Sequence, residues 1–147
     1  MGGSVQSEVS ELSFVGIGDK RGELVALESN KNVPFDIKRV YYMYQISKGA
    51  ERGFHAHIKL KQVAVCVSGS CTIEVEYVDG KSSFLLDSPD KGIYMGGLVW
   101  REIKNCSDDC VLMVLADELY SEDDYIRQYS EFKQHLPQLN VSVENGD

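Results

Sequence analysis

At 147 residues the chain is one domain's worth of protein, long enough to bury a core without disulfide staples. Its composition, 43% hydrophobic and 26% charged, is that of a globular protein. No apolar run reaches the roughly 18 residues that cross a bilayer. A formal charge of −8 argues against a nucleic-acid surface.

Met1-Gly2-Gly3-Ser4 has neither the basic nor the apolar segment of a secretory leader. Residues 1–11 are polar and are expected to form a flexible tail, so a single folded domain is expected over 12–136. A short edge strand is predicted at 14–17, a turn at Gly18-Asp19-Lys20-Arg21-Gly22 and an apolar strand at 23–28. Pro34 biases Val33 towards extended backbone after a polar loop. Residues 37–46 read as the clearest early strand, with Arg39, Tyr41, Met43 and Gln45 on one face and Val40, Tyr42, Tyr44 and Ile46 on the other. Period alone leaves open whether Arg39 and Tyr41 meet a pocket or solvent; the pocket is the expectation adopted.

His55 and His57 follow, two of the chain's three histidines. One residue apart on a strand, they share a face while Ala56 points away. On the next strand Val63, Val65 and Val67 oppose Gln62, Ala64 and Cys66. Five residues separate Gly49 from His55, four separate His57 from Gln62 and six separate Gln62 from Gly69. That spacing resembles the first signature of the cupin superfamily, with Gln62 where metal-binding members carry glutamate. The second signature expects a histidine four residues before an asparagine; here Arg101 precedes Asn105. A guanidinium has no lone pair for a metal, so the site is expected to be metal-free.

Downstream, 71–78 alternates cleanly, and Asp79-Gly80 signals a hairpin back through 83–86. A turn at Pro89-Asp90-Lys91-Gly92, a strand ending in Gly96-Gly97, and a strand at 98–103 holding Trp100 come next. After a loop at 105–109, residues 110–116 are apolar on both faces, as expected of a strand buried between two sheets. Ser121 before Glu122-Asp123-Asp124 reads as the cap of a helix that continues through Tyr125, Ile126, Tyr129 and Phe132 until Pro137. His135 at its end reads as structural or solvated, and 137–147 as a second flexible tail. The expected fold is all-β, a cupin jelly-roll (double-stranded β-helix) barrel with one C-terminal α-helix. Cys66, Cys71, Cys106 and Cys110 contain no Cys-x-x-Cys pair, so they read as buried, reduced thiols of a cytoplasmic protein rather than a zinc cluster.

The basic residues Arg21, Lys38, Arg39, Arg52, Lys59, Lys61 and Arg101 lie in the barrel-forming part, whereas acid collects at Glu118 and Glu122-Asp123-Asp124. A positive pocket in a negative protein suggests a small anionic ligand. Two neutral imidazoles on one face can pass a proton between adjacent carbons. Arg101 and Gln62 can stabilise the oxyanion that forms beside a carbonyl, and Arg52 suits bidentate binding of phosphate oxygens.

The stretch Asn30-Lys31-Asn32-Val33-Pro34-Phe35-Asp36-Ile37-Lys38-Arg39-Val40-Tyr41-Tyr42 resembles the cupin-fold sugar 3,4-ketoisomerases acting on dTDP-4-keto-6-deoxyglucose. So do Arg52-Gly53-Phe54-His55-Ala56-His57, Asp87-Ser88-Pro89 and Asp124-Tyr125-Ile126-Arg127-Gln128-Tyr129. The shorter Arg52-Gly53-Phe54-His55 string is also similar to the dTDP-4-dehydrorhamnose epimerases. The resemblance implies a cofactor-free isomerase with a dTDP-linked 4-keto-6-deoxy sugar in the barrel. It also implies a homodimer with exchanged N-terminal strands and a place in making sugars for surface polysaccharides. His55 and His57 become the proton-transfer pair, His55 the base, with C3 deprotonated and C4 reprotonated through an enediolate. The expected substrate-binding set is Arg21, Arg39, Tyr41, Arg52, Gln62, Trp100 and Arg101. In such enzymes the Arg21 and Arg101 positions vary with the product's C4 configuration, which arginine at both leaves open. The alternatives are a 3- or 5-epimerase on the same sugar, a non-catalytic nucleotide-sugar-binding module and a metal-dependent oxygenase.

Overall fold

Short strands that alternate inward and outward residues make up most of the computed structural model, which describes residues 7–47 and 49–136. In chain order they are β1 (Ser7–Ser13), β2 (Ile17–Asp19), β3 (Gly22–Leu24), β4 (Arg39–Met43), β5 (Arg52–His57) and β6 (Lys61–Ser68). They continue as β7 (Cys71–Tyr77), β8 (Gly80–Leu86), β9 (Lys91–Gly97), β10 (Trp100–Lys104), β11 (Val111–Ala116) and β12 (Tyr125–Ile126), before helix α1 (Tyr129–His135). Strands β1-β9-β6-β11-β4 form one five-stranded sheet and β12-β5-β10-β7-β8 another, with β2-β3 a separate hairpin. Antiparallel neighbours distant in sequence, such as β11 against β4 and β6, make this a jelly roll. The all-β cupin barrel with one C-terminal helix is therefore the fold. No helix among the described residues is long and apolar enough to cross a membrane.

The two sheets close on a shared interior, where Ala64, Ile93 and Leu112 of the first meet Ile73, Val75 and Ile103 of the second. The two apolar faces of β11 have a different cause from the one expected. Leu112 and Val114 face that interior, but Leu115 and Met113 face outward, under Val33 and Phe35 of the segment before β4. A loop rather than a second sheet covers the outer side. Behind the second sheet, Ala56, Trp100, Ile126 and Phe132 form a third apolar cluster beneath α1.

Three expectations need correcting. Residues 7–11 are not a tail: β1 pairs with β9 of the same chain over seven residues, from Ser7↔Gly97 to Ser13↔Lys91. Its only apolar side chains, Val9 and Leu12, pack against different clusters, so the strand carried little pattern of its own. The predicted strand at 23–28 stops at Leu24, and that at 14–17 reduces to Ile17, which opens β2. The helix predicted from Ser121 starts only at Tyr129; Glu122–Asp124 is a single 3-10 turn, and the Ser121 side chain makes no cap hydrogen bond. Between them Tyr125 and Ile126 pair with His57 and Ala56. A two-residue strand cannot be told from a helical turn by periodicity. The expected tails at 1–6 and 137–147 lie outside the described residues.

Phe132 holds α1 to the barrel and is completely buried. Phe132→Ala is expected to lower the unfolding free energy by about 3–5 kcal/mol in urea titration. A loss below about 1 kcal/mol would mean that the helix contributes little to the core.

Candidate active site

A β-bulge aims the histidines. In β5, His55 pairs with Arg101 and Gly53 with Glu102, so the register shifts by one residue at Phe54. Gly53 has φ +90 and Phe54 φ +47, left-handed backbone that glycine adopts freely and phenylalanine only under strain. A Cβ on Gly53 would also sit 3.1 Å from the Arg101 carbonyl oxygen. The bulge turns the Gly53 carbonyl onto His55, whose Nδ1–H donates to it at 2.7 Å. A carbonyl only accepts, so the proton is on Nδ1 and the Nε2 lone pair is free. His57, two residues on, donates Nδ1–H to Asp124 Oδ2 at 3.2 Å and likewise keeps an Nε2 lone pair. The two rings lie edge to face, centroids 4.9 Å apart.

On the neighbouring strand β10, Arg101 is 3% exposed. Its Nη1 donates to Gln62 Oε1, its Nε to the Val99 carbonyl at 3.2 Å, and Gln62 Nε2 donates on to the Tyr41 hydroxyl at 3.0 Å. Arg101 makes no ion pair among the described residues. Those residues include only three buried side-chain nitrogen or oxygen atoms without a hydrogen-bond partner: Arg39 Nε, His57 Nε2 and Arg101 Nη2. All three belong to this site. Unpaired buried polar groups cost of the order of 1–3 kcal/mol each, so three in one place point to a ligand.

Burial, and next to it the Arg101 charge, push His55 down to about 4. The same two causes, in the same order, push His57 down to about 2, with His55 itself adding to the effect. Both rings are neutral at ordinary pH, so the His57–Asp124 contact is a hydrogen bond from a neutral imidazole rather than an ion pair. Burial also pulls Arg101 down to about 10, which leaves it cationic.

Arg39, Tyr41, Arg52, His55, Arg101 and Tyr125 are among the residues lining a cavity of about 360 Å³ inside the barrel. No carboxylate among the described residues lines it. His57 borders an adjoining cavity of about 530 Å³, which shares Arg39 and Tyr125 with the first. The structure thus gathers seven of the nine predicted residues, and Trp100 and Arg21 stay apart. Trp100 precedes Arg101 on β10, and neighbours on a strand point to opposite faces. It lies outside the barrel against Tyr129 and Phe132, beside a separate cleft. Arg21 sits at the tip of the β2–β3 hairpin, its side chain 90% exposed and paired with Asp19.

Sequence reasoning missed Asp124, Tyr125 and Arg127, because it placed them on a helix. Asp124 accepts from the backbone N–H groups of Ile58 and Lys59 as well as from His57, so one carboxylate fixes both a loop and an imidazole. The Tyr125 ring lies 4.3 Å from that of His57 and 5.2 Å from that of His55, with the Arg127 guanidinium stacked on it at 4.3 Å.

Comparison with known proteins agrees over nearly the whole chain. The family described as FdtA: WxcM-like, C-terminal matches residues 7–136. The TDP-4-oxo-6-deoxy-alpha-D-glucose-3,4-oxoisomerase of Aneurinibacillus thermoaerophilus is 49% identical over 133 residues, 90% of this chain and 96% of the relative. Among solved structures, a histidine-to-asparagine mutant of the 3,4-ketoisomerase QdtA from Thermoanaerobacterium thermosaccharolyticum, in complex with TDP-4-keto-6-deoxyglucose, has a TM-score of 0.83 at 43% identity. The match covers 86% of this chain and 91% of that one. The TDP-quinovose 3,4-ketoisomerase WlaRB of Campylobacter jejuni has a TM-score of 0.82 at 44% identity, covering 86% and 97%.

The bulge yields its own test. Gly53→Ala is expected to destabilise the protein by more than about 1 kcal/mol in urea unfolding, because a side chain is disfavoured at this φ and meets the neighbouring strand. Unchanged stability would contradict the left-handed backbone at this position.

Proposed function

The chain belongs to the WxcM-like family and is an isomerase, and we propose that it converts TDP-4-keto-6-deoxyglucose to a TDP-3-keto-6-deoxyhexose. The isomerisation moves one proton from C3 to C4 and another from the C3 hydroxyl to the C4 oxygen. No electron leaves the sugar, so no cofactor is required. His55 Nε2 takes the C3 proton, exchanges it with solvent and protonates C4, while His57 Nε2 handles the oxygen-bound proton. Arg101 Nη2 stabilises the enediolate between these steps. Arg39, Tyr41 and Arg52 hold the nucleotide end, with bidentate guanidinium contacts to pyrophosphate. The site works without a metal in this reading, because Arg101 has no lone pair to give and the neutral Gln62 oxygen already accepts from Arg101.

The single observation that carries the proposal is the set of three partnerless buried nitrogens around two neutral imidazoles. Tyr125 favours one second reading, a 3-epimerase, since a phenol against both imidazoles could return a proton to C3 from the other face. We also infer a cytoplasmic homodimer that exchanges N-terminal strands: the seven-residue register of β1 could form on a partner's β9, and β4 presents Val40 and Tyr42 to solvent.

In D₂O with TDP-4-keto-6-deoxyglucose, the enzyme is expected to give a 3-keto product carrying ring deuterium, read by NMR. His55→Asn should slow this by about 100-fold or more. Binding without incorporation overturns the isomerase mechanism, and an epimerised 4-keto sugar favours the second reading. The pH dependence has a definite sign. A base depressed to about 4 stays active as pH falls from neutral, so kcat/KM should decline only as pH approaches about 4. An acid limb near about 6.5 would mean an unperturbed imidazole.

A further inference from the structure

The four cysteines take no part in this chemistry, yet the fold collects them. Four residues separate Cys66 from Cys71 and three separate Cys106 from Cys110, spacings within the two to four usual for paired zinc ligands. Each pair sits at a turn, and the two turns interlock. Ser107 N–H donates to the Ser70 carbonyl and Ser70 N–H to Ser107 Oγ, both at 2.9 Å, and Cys110 N–H donates to the Ser107 carbonyl at 3.0 Å. Gly69, at φ +69, leaves no room for a side chain, since a Cβ there would lie 2.9 Å from the Cys110 nitrogen. The clamp is at the far end of β6 from Gln62, with Cys66 about 13 Å of strand away from that residue.

Within it the sulfurs of Cys66, Cys71 and Cys110 all lie within 4.8 Å of one another, and all three residues are buried. Cys66 and Cys110 are 3.7 Å apart, sulfur to sulfur. Tetrahedral zinc with bonds of about 2.3 Å holds its sulfurs about 3.8 Å apart, so this edge already has the required length. Cys106, half-buried at the lip, interacts with the thiols of Cys110 and Cys71. We propose that Cys66, Cys71, Cys106 and Cys110 form a structural site for a soft divalent cation of the zinc class, independent of the histidine pocket. Binding exchanges four S–H bonds for four metal–sulfur bonds and releases the protons to solvent. The Arg52 guanidinium charge acts on Cys106 and offsets part of the excess negative charge.

The test uses the full chain, reduced and anaerobic, titrated with Cd²⁺ as an optical stand-in for Zn²⁺. One Cd²⁺ per chain is expected, with a sulfur-to-cadmium charge-transfer band and protection of all four thiols from alkylation. Both should persist in His55→Ala/His57→Ala. Because Cys66 and Cys110 are buried in the core and serine there would disturb packing, the variant used is the half-buried Cys106→Ser, expected to weaken Cd²⁺ binding more than about tenfold with an unchanged circular dichroism spectrum. Thiols that still alkylate in excess Cd²⁺, a band lost with the histidines, or affinity unchanged in Cys106→Ser would overturn the proposal.

Discussion

A buried guanidinium without a counter-ion governs this site. Removing an ion from water costs several kcal/mol, and Arg101 recovers only part of that through the Gln62 amide and the Val99 carbonyl. Its charge acts with burial to strip protons from His55 and His57. One residue thereby sets a fixed positive charge beside two imidazoles and adds to the burial that keeps them neutral. A carboxylate partner in the same place would cancel that charge and leave burial to hold the imidazoles below their usual value.

The barrel positions these groups with backbone devices that cost little. The Gly53-Phe54 bulge gives His55 a carbonyl that fixes its tautomer, and the short β12 gives His57 a carboxylate that does the same. Asp124 ties the end of β5 to β12, since it also satisfies the backbone of Ile58 and Lys59. Helix α1 then covers the back of the same sheet through Phe132 and seals the apolar cluster behind Ala56. Chemistry and stability thus meet on opposite faces of β5.

Much of this was legible in the amino-acid order. Strand alternation placed Arg39 and Tyr41 together, and the His-x-His period put both imidazoles on one side, because a pleat has only two faces. The same rule, applied to Trp100 beside Arg101, would have sent the tryptophan outward. Tertiary pairing was harder to see. The segment 122–129 has apolar spacing that suits a helix, and only the edge of β5 draws Tyr125 and Ile126 into a strand. Likewise β1 owes its order to seven partners on β9 rather than to its own sparse apolar residues. The cysteine cluster was invisible for a related reason, since its two turns lie far apart in sequence and meet only through the Ser70–Ser107 clamp.

The most direct measurement is two-bond ¹H–¹⁵N correlation NMR of the histidine rings as a function of pH. The predicted result is two neutral rings protonated on Nδ1 at pH 7, with His55 titrating near about 4 and His57 remaining neutral below that. Either ring titrating near about 6.5, or carrying its proton on Nε2, would contradict the arrangement around Arg101.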